Sequence, residues 1–124
     1  MPCLKILTNI PNNKIPRDFV NKIIPILAKT VKKEENKFIC VISGDCHLSF
    51  GGESSKPGAI ATLESIGNLG IRENNEIIGE LSKFMEKELN IVSDRFFVTF
   101  YDLQAHNVAK GGITIEEMFK IEKL

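Results

Sequence analysis

In this 124-residue sequence the side chain with the most unusual chemical option is the second one, Pro2. While Met1 precedes it, Pro2 is an amide and inert. With Met1 removed, it would offer a secondary amine able to accept a proton directly, provided its pKa lay near or below the working pH. Partial burial and a neighbouring cation would both lower that pKa, because each disfavours the protonated amine. The run Lys32-Lys33-Glu34-Glu35 supplies such cations, but composition alone does not choose between the two lysines. On residue chemistry alone, the plainer reading of Pro2 is the head of an edge strand, where a missing N–H does no harm.

Other reactive side chains point to structure. Cys3, Cys40 and Cys46 form neither an even disulfide framework nor a metal-spaced C-x-x-C pair, so they read as small core or subsurface residues of a reducing compartment. His47 and His106 are isolated from any matching acid or ligand, and no metal site is expected. Sixteen basic residues balance sixteen acidic ones, leaving no overall field to hold nucleic acid or an anionic membrane. The charge is uneven, however. Residues 1–37 carry eight Lys or Arg against three acids, leaving eight against thirteen for the remainder, so the N-terminal third suits a small anionic substrate. No stretch approaches the roughly 20 apolar residues of a membrane span, and the start lacks a charged segment followed by a long apolar core. A cytoplasmic, leaderless chain without membrane insertion is expected, and any secretion would take a leaderless route.

These residues must be positioned by one compact domain, 1–124, whose 43% hydrophobic content suffices for a core. Residues 2–8 alternate as an opening strand. Phe19, Val20, Ile23, Ile24 and Leu27 then recur at helical spacing to about Lys32, although Pro25 predicts a kink near Asn21 or two shorter pieces. The run 38–43 (FICVIS) is apolar throughout, as in a strand covered on both faces and parallel to the first. Gly44-Asp45 turns the chain into a polar loop ending near Pro57, the expected mobile segment. The order then repeats, with strand 59–65, helix 74–89 and strand 96–101. Two strand–helix–strand units would put both helices on one face of a four-stranded sheet. No third helix is available for the other face, so subunit association is its economical cover. Residues 111–124 read evenly as a short terminal helix or a frayed end.

Four segments, in order and in register, resemble one family over nearly the whole chain: MPCLKILTNIP at the start, Phe50-Gly51-Gly52, LESIGNLG at 63–70, and SDRFFVTFYDL at 93–103. They are similar to the macrophage migration inhibitory factor and D-dopachrome tautomerase family. The resemblance implies an α+β, β-α-β-β-α-β tautomerase fold, assembled as a homotrimer with a site at each subunit boundary. It also implies removal of Met1, Pro2 as catalytic base and Lys33 as the active-site lysine. Ile66 matches the position whose backbone N–H meets substrate. Phe97 and Thr99, two apart on a strand, match residues contributed to a neighbouring pocket, and Val108 matches an apolar wall.

The chain also departs from the family pattern. Phe97 and Thr99 stand where the migration inhibitory factors have tyrosine and asparagine, and Lys37 and Lys110 replace aromatic residues at the rim. The mouth should therefore be less aromatic and more cationic. The family's C-x-x-C is replaced by Gly58-Ala59-Ile60-Ala61, so thiol oxidoreduction is not implied. The resemblance implies keto–enol tautomerisation of phenylpyruvate-like aryl α-keto acids, extending to dopachrome-type compounds, with no cofactor. Its alternative is a cytokine-like signalling ligand engaging a receptor of the invariant-chain type. In the family's receptor motif Asp45 is matched, but Asn12 replaces the base.

Overall fold

A computed structural model describes residues 1–122. Strand β1 (Cys3–Thr8) is followed by helix α1 (Phe19–Val31) and strand β2 (Ile39–Ser43). The second unit comprises β3 (Ala59–Ser65), α2 (Ile71–Leu89) and β4 (Phe96–Asp102). The sheet order is β2-β1-β3-β4. Pairing is parallel within each unit and antiparallel where β1 meets β3, so the two units join back to back through their first strands. A short hairpin, β5 (Ala109–Lys110) and β6 (Ile113–Thr114), leads into a third helix, α3 (Ile115–Glu122).

The core lies between the helices and one sheet face. In α1, Phe19, Ile23, Leu27 and Val31 recur every fourth residue and are all essentially buried, against Leu4 and Ile6 of β1 and Leu63 of β3. Ile77, Leu81, Phe84 and Met85 form the matching stripe of α2. The rings of Phe19 and Phe84 meet at 5.3 Å between centroids, tilted by 54°. Each such aliphatic or aromatic side chain contributes about 1.5–3 kcal/mol through burial. A 2.7 Å ion pair between Lys22 and Glu88 ties α1 to α2 at the surface.

Pro25 does not divide α1 into two pieces. The helix runs continuously across it, and the proline lies on the exposed side, where water can satisfy the carbonyl of Asn21 that has lost its N–H partner. Helix α2 begins at Ile71, three residues before its expected start. The loop before β3 is also more tightly held than its polarity suggests. Buried Arg95 donates from Nε to the Pro57 carbonyl at 2.9 Å and from Nη2 to that of Lys56 at 2.9 Å, while its guanidinium sits 4.9 Å from the Phe50 ring centre. Asn9 donates to the Lys56 carbonyl at 2.8 Å and accepts from the Gly58 N–H at 2.9 Å. Gly44 is obligatory at its turn, because a Cβ there would lie 2.5 Å from the Ile10 carbonyl oxygen.

The second sheet face is open in the single chain. Leu7, Ile39, Val41, Ile60, Phe97 and Tyr101 all project from it and remain substantially exposed. The strand expected to be covered on both faces, β2, is thus an edge strand with one side bare.

Candidate active site

The site is built where the end of α1, the start of β1 and the loop after β3 converge. Helix α1 stops because Lys32 takes a left-handed conformation, φ 61°, while the Lys32 and Lys33 N–H groups both donate to the Ala28 carbonyl at 3.0 and 3.3 Å. This reversal separates the roles of the adjacent lysines. Lys32 caps the helix, and Lys33 is directed across to the β3 loop, where Nζ donates to the Ile66 carbonyl at 2.7 Å. Burial lowers the Lys33 pKa, and Asp102 opposes that shift.

The loop carrying Ile66 is held in place from three sides. Asn68 donates its side-chain amide to the carbonyls of Val31 at 2.8 Å and Lys32 at 3.3 Å, satisfying helix-end acceptors that would otherwise lack partners. Asp102 accepts from the Gly67 N–H at 2.9 Å, and Ser65 donates to the Gly67 carbonyl at 2.8 Å. Asn68 and Asp102 were not singled out from the sequence. Their signal was present in LESIGNLG and FFVTFYDL, but only the fold reveals that both segments serve the end of α1.

Pro2 is buried at the head of β1, and its carbonyl accepts from the Ile39 N–H at 3.0 Å. Met1 extends from it into a cleft of about 670 Å³ that Lys33, Lys37, Ile115, Met118 and Phe119 help to line. The Met1 α-amino group is held below its ordinary value, first by burial and then by the ammonium groups of Lys33, Lys37 and Lys110. A terminal amine here is therefore biased toward the neutral, proton-accepting form. Lys37 and Lys110 take part through charge, in keeping with a cationic mouth.

The other anticipated residues are distributed differently. Phe97 and Thr99 project from the open sheet face, where they line a groove of about 300 Å³ with Lys5, Leu7, Ile60 and Thr62. A single chain does not bring them to Lys33. Val108 is half-buried, with its carbonyl accepting from the Ile115 N–H at 2.8 Å, and so stands at the base of α3. A separate cleft of about 400 Å³ near Pro11, Lys14 and Lys87–Asn90 lacks a comparable amine–lysine arrangement. Among the described residues, no helix is long and apolar enough to cross a membrane.

The fold is that of a small α+β chain of the tautomerase type, and its terminal amine lies partly buried near Lys33. The family model described as macrophage migration inhibitory factor (MIF) matches residues 1–116, and the chain belongs to that family. A macrophage migration inhibitory factor homolog of Brugia malayi is 36% identical over 114 residues, covering 92% of this chain and 98% of the relative. A MIF-like protein of Caenorhabditis elegans is 29% identical over 120 residues, covering 97% and 99%. Among solved structures, the macrophage migration inhibitory factor of Trichinella spiralis superposes with a TM-score of 0.86 at 28% identity, covering 90% of this chain and 98% of the other.

Proposed function

We propose that the chain, once Met1 is removed, is a keto–enol tautomerase of phenylpyruvate-like aryl α-keto acids that works as a homotrimer. The observation that carries this reading is geometric: Pro2 is buried at the head of β1, and the Met1 that precedes it lies in the cleft lined by Lys33 and Lys37. Removing Met1 transfers the free amine to Pro2, which is buried, and burial together with the nearby lysines would disfavour its protonated form as they do for Met1. Its neutral nitrogen removes a proton from the carbon beside the substrate carbonyl. As the enol forms, its oxygen takes a proton from water while protonated Pro2 returns one to solvent, so the net change is a proton moved from carbon to oxygen, and the reverse sequence restores the ketone. Lys33 has three N–H donors and uses one on Ile66, leaving two for a substrate carboxylate and for charge developing on the enolate oxygen. The Ile66 N–H orients the substrate.

The trimer supplies what one chain lacks. The bare apolar sheet face needs a cover, and a neighbouring copy packed against the site would contribute Phe97 and Thr99 to it, with Val108 behind the hairpin. Phe97 carries no hydroxyl, which favours an unsubstituted ring. The signalling alternative draws on family membership, whose relatives bear the migration inhibitory name. It has less local support: Asp45 already accepts from the Asn12 backbone N–H at 3.2 Å, and no base stands at position 12.

Intact mass to score Met1 loss, followed on the same sample by a phenylpyruvate enolisation assay, tests the reading. The processed protein should turn over, and Pro2→Gly should reduce kcat/KM by about 10²–10⁴, the usual contribution of a positioned base. Full turnover by processed Pro2→Gly would remove Pro2 from the mechanism.

A further inference from the structure

The family match ends at residue 116, at the second residue of α3, yet the rest of that helix builds part of the cleft. Ile115, Met118, Phe119 and Glu122 all border it, together with Met1 and Lys33. Their spacing, i, i+3, i+4 and i+7, places them on one stripe of the helix. The helix is anchored at its first turn. Ile115 is 3% exposed, and the Thr114 side-chain oxygen accepts from the Glu117 N–H at 3.2 Å. Thr114-Ile115-Glu116-Glu117 has the T-x-x-E form of a capping box, although only this one of its two bonds is formed. Behind it, the β5–β6 hairpin turns through Gly111 and Gly112, at φ 70° and 86°, and fixes the direction in which α3 leaves the sheet.

Phe119 differs from Ile115 in remaining 43% exposed while bordering the cleft. The stretch contributed by α3 therefore presents a phenyl ring and a thioether, with Glu122 at its end, while residues 32–37 contribute three ammonium groups. Around the rim Lys32, Lys33 and Lys37 outnumber Glu34 and Glu122. Such a cleft suits a small molecule with a carboxylate at one end and a flat apolar group at the other. Methionine contributes a polarisable contact to an aromatic ring.

We infer that α3 is the specificity wall of this site: Met118 and Phe119 seat the aryl group of the acid whose carboxylate lies at Lys33, so the chain selects aryl over alkyl α-keto acids. This rests on the tautomerase reading above and adds to it a substrate-selecting element in the same protomer. Pro2 and Lys33 would act alike on either class of acid, while α3 distinguishes them.

The test compares the processed wild type with Met118→Ala/Phe119→Ala, using phenylpyruvate and 2-oxobutyrate as substrates and cinnamate as a non-enolisable aryl carboxylate. The double variant should lower the kcat/KM ratio of phenylpyruvate to 2-oxobutyrate about tenfold. KM for phenylpyruvate should rise more than kcat falls, and calorimetric affinity for cinnamate should drop by a similar factor. The variant Met118→Leu/Phe119→Leu, which keeps apolar bulk, should recover most of the cinnamate affinity. Sedimentation and circular dichroism establish that each variant is assembled and folded. An unchanged ratio with unchanged cinnamate binding overturns the inference, as does an equal loss for both substrates. A wild type that enolises neither acid overturns the tautomerase reading instead, and cinnamate affinity across the variants then decides whether α3 is a binding wall.

Discussion

An amine that must be unprotonated near neutral pH needs low polarity or nearby cations, and the N-terminus of this chain has both. Lys33 also binds through hydrogen bonding, whereas Lys37 and Lys110 act on the amine through charge. Replacing those two by glutamine should raise the pKa of the base, since two cations that oppose its protonation are removed. The acid limb of the kcat/KM–pH profile should move to higher pH while the plateau is less affected. A limb that stays in place would show that burial and Lys33 tune the amine without those two cations. The cysteines have the opposite chemistry. Burial pushes the Cys40 thiol up to about 12, and Cys3 is also raised, so thiolate is scarce at neutral pH. Cys40 should resist iodoacetamide in the native protein and react after unfolding, as peptide mass mapping would record.

At the scale of elements, α1 tolerates a proline because that residue is on the exposed side, and it terminates through a lysine in the left-handed region. Both features cost stability. Pro25→Ala restores a donor for the Asn21 carbonyl and relieves the ring's crowding of the preceding turn. Its gain is partly offset by the more flexible unfolded chain, so a stabilisation of about 1–3 kcal/mol should appear as a higher denaturant midpoint. A lower midpoint would mean that the proline supports a packing contact of its own. The two central helices and four strands were legible from apolar spacing. The tail was less so: residues 111–124 read evenly as a short helix or a frayed end, because so short a helix is marginal unless it docks.

At the scale of the whole molecule, the proposed trimer would give one remedy for the bare sheet face and for the separation of Phe97 and Thr99 from Lys33. A second surface laid on Leu7, Ile39, Val41 and Ile60 would bury apolar area and complete the pocket. Val41→Asp changes a side chain that is half exposed in the single chain, so the fold should survive, but the same carboxylate would be desolvated in an interface. Sedimentation should shift from a three-chain to a single-chain species, with phenylpyruvate turnover falling in parallel. A Val41→Asp protein that stays trimeric would place the interface elsewhere.

By itself the sequence determined the two strand–helix–strand units, their buried stripes and the shortage of cover for one sheet face, because these follow from local periodicity and apolar content. Family resemblance also selected Lys33 over its neighbour. Only the tertiary structure shows how the two lysines differ: the left-handed turn at Lys32 sends Lys33 across to Ile66, in a loop that Asn68 and Asp102 hold in place. It likewise decided that Arg95 fastens a loop that looks free in sequence, and that α3 borders the cleft. Those outcomes depend on contacts between residues about 30 to 120 positions apart, whose proximity no local pattern encodes.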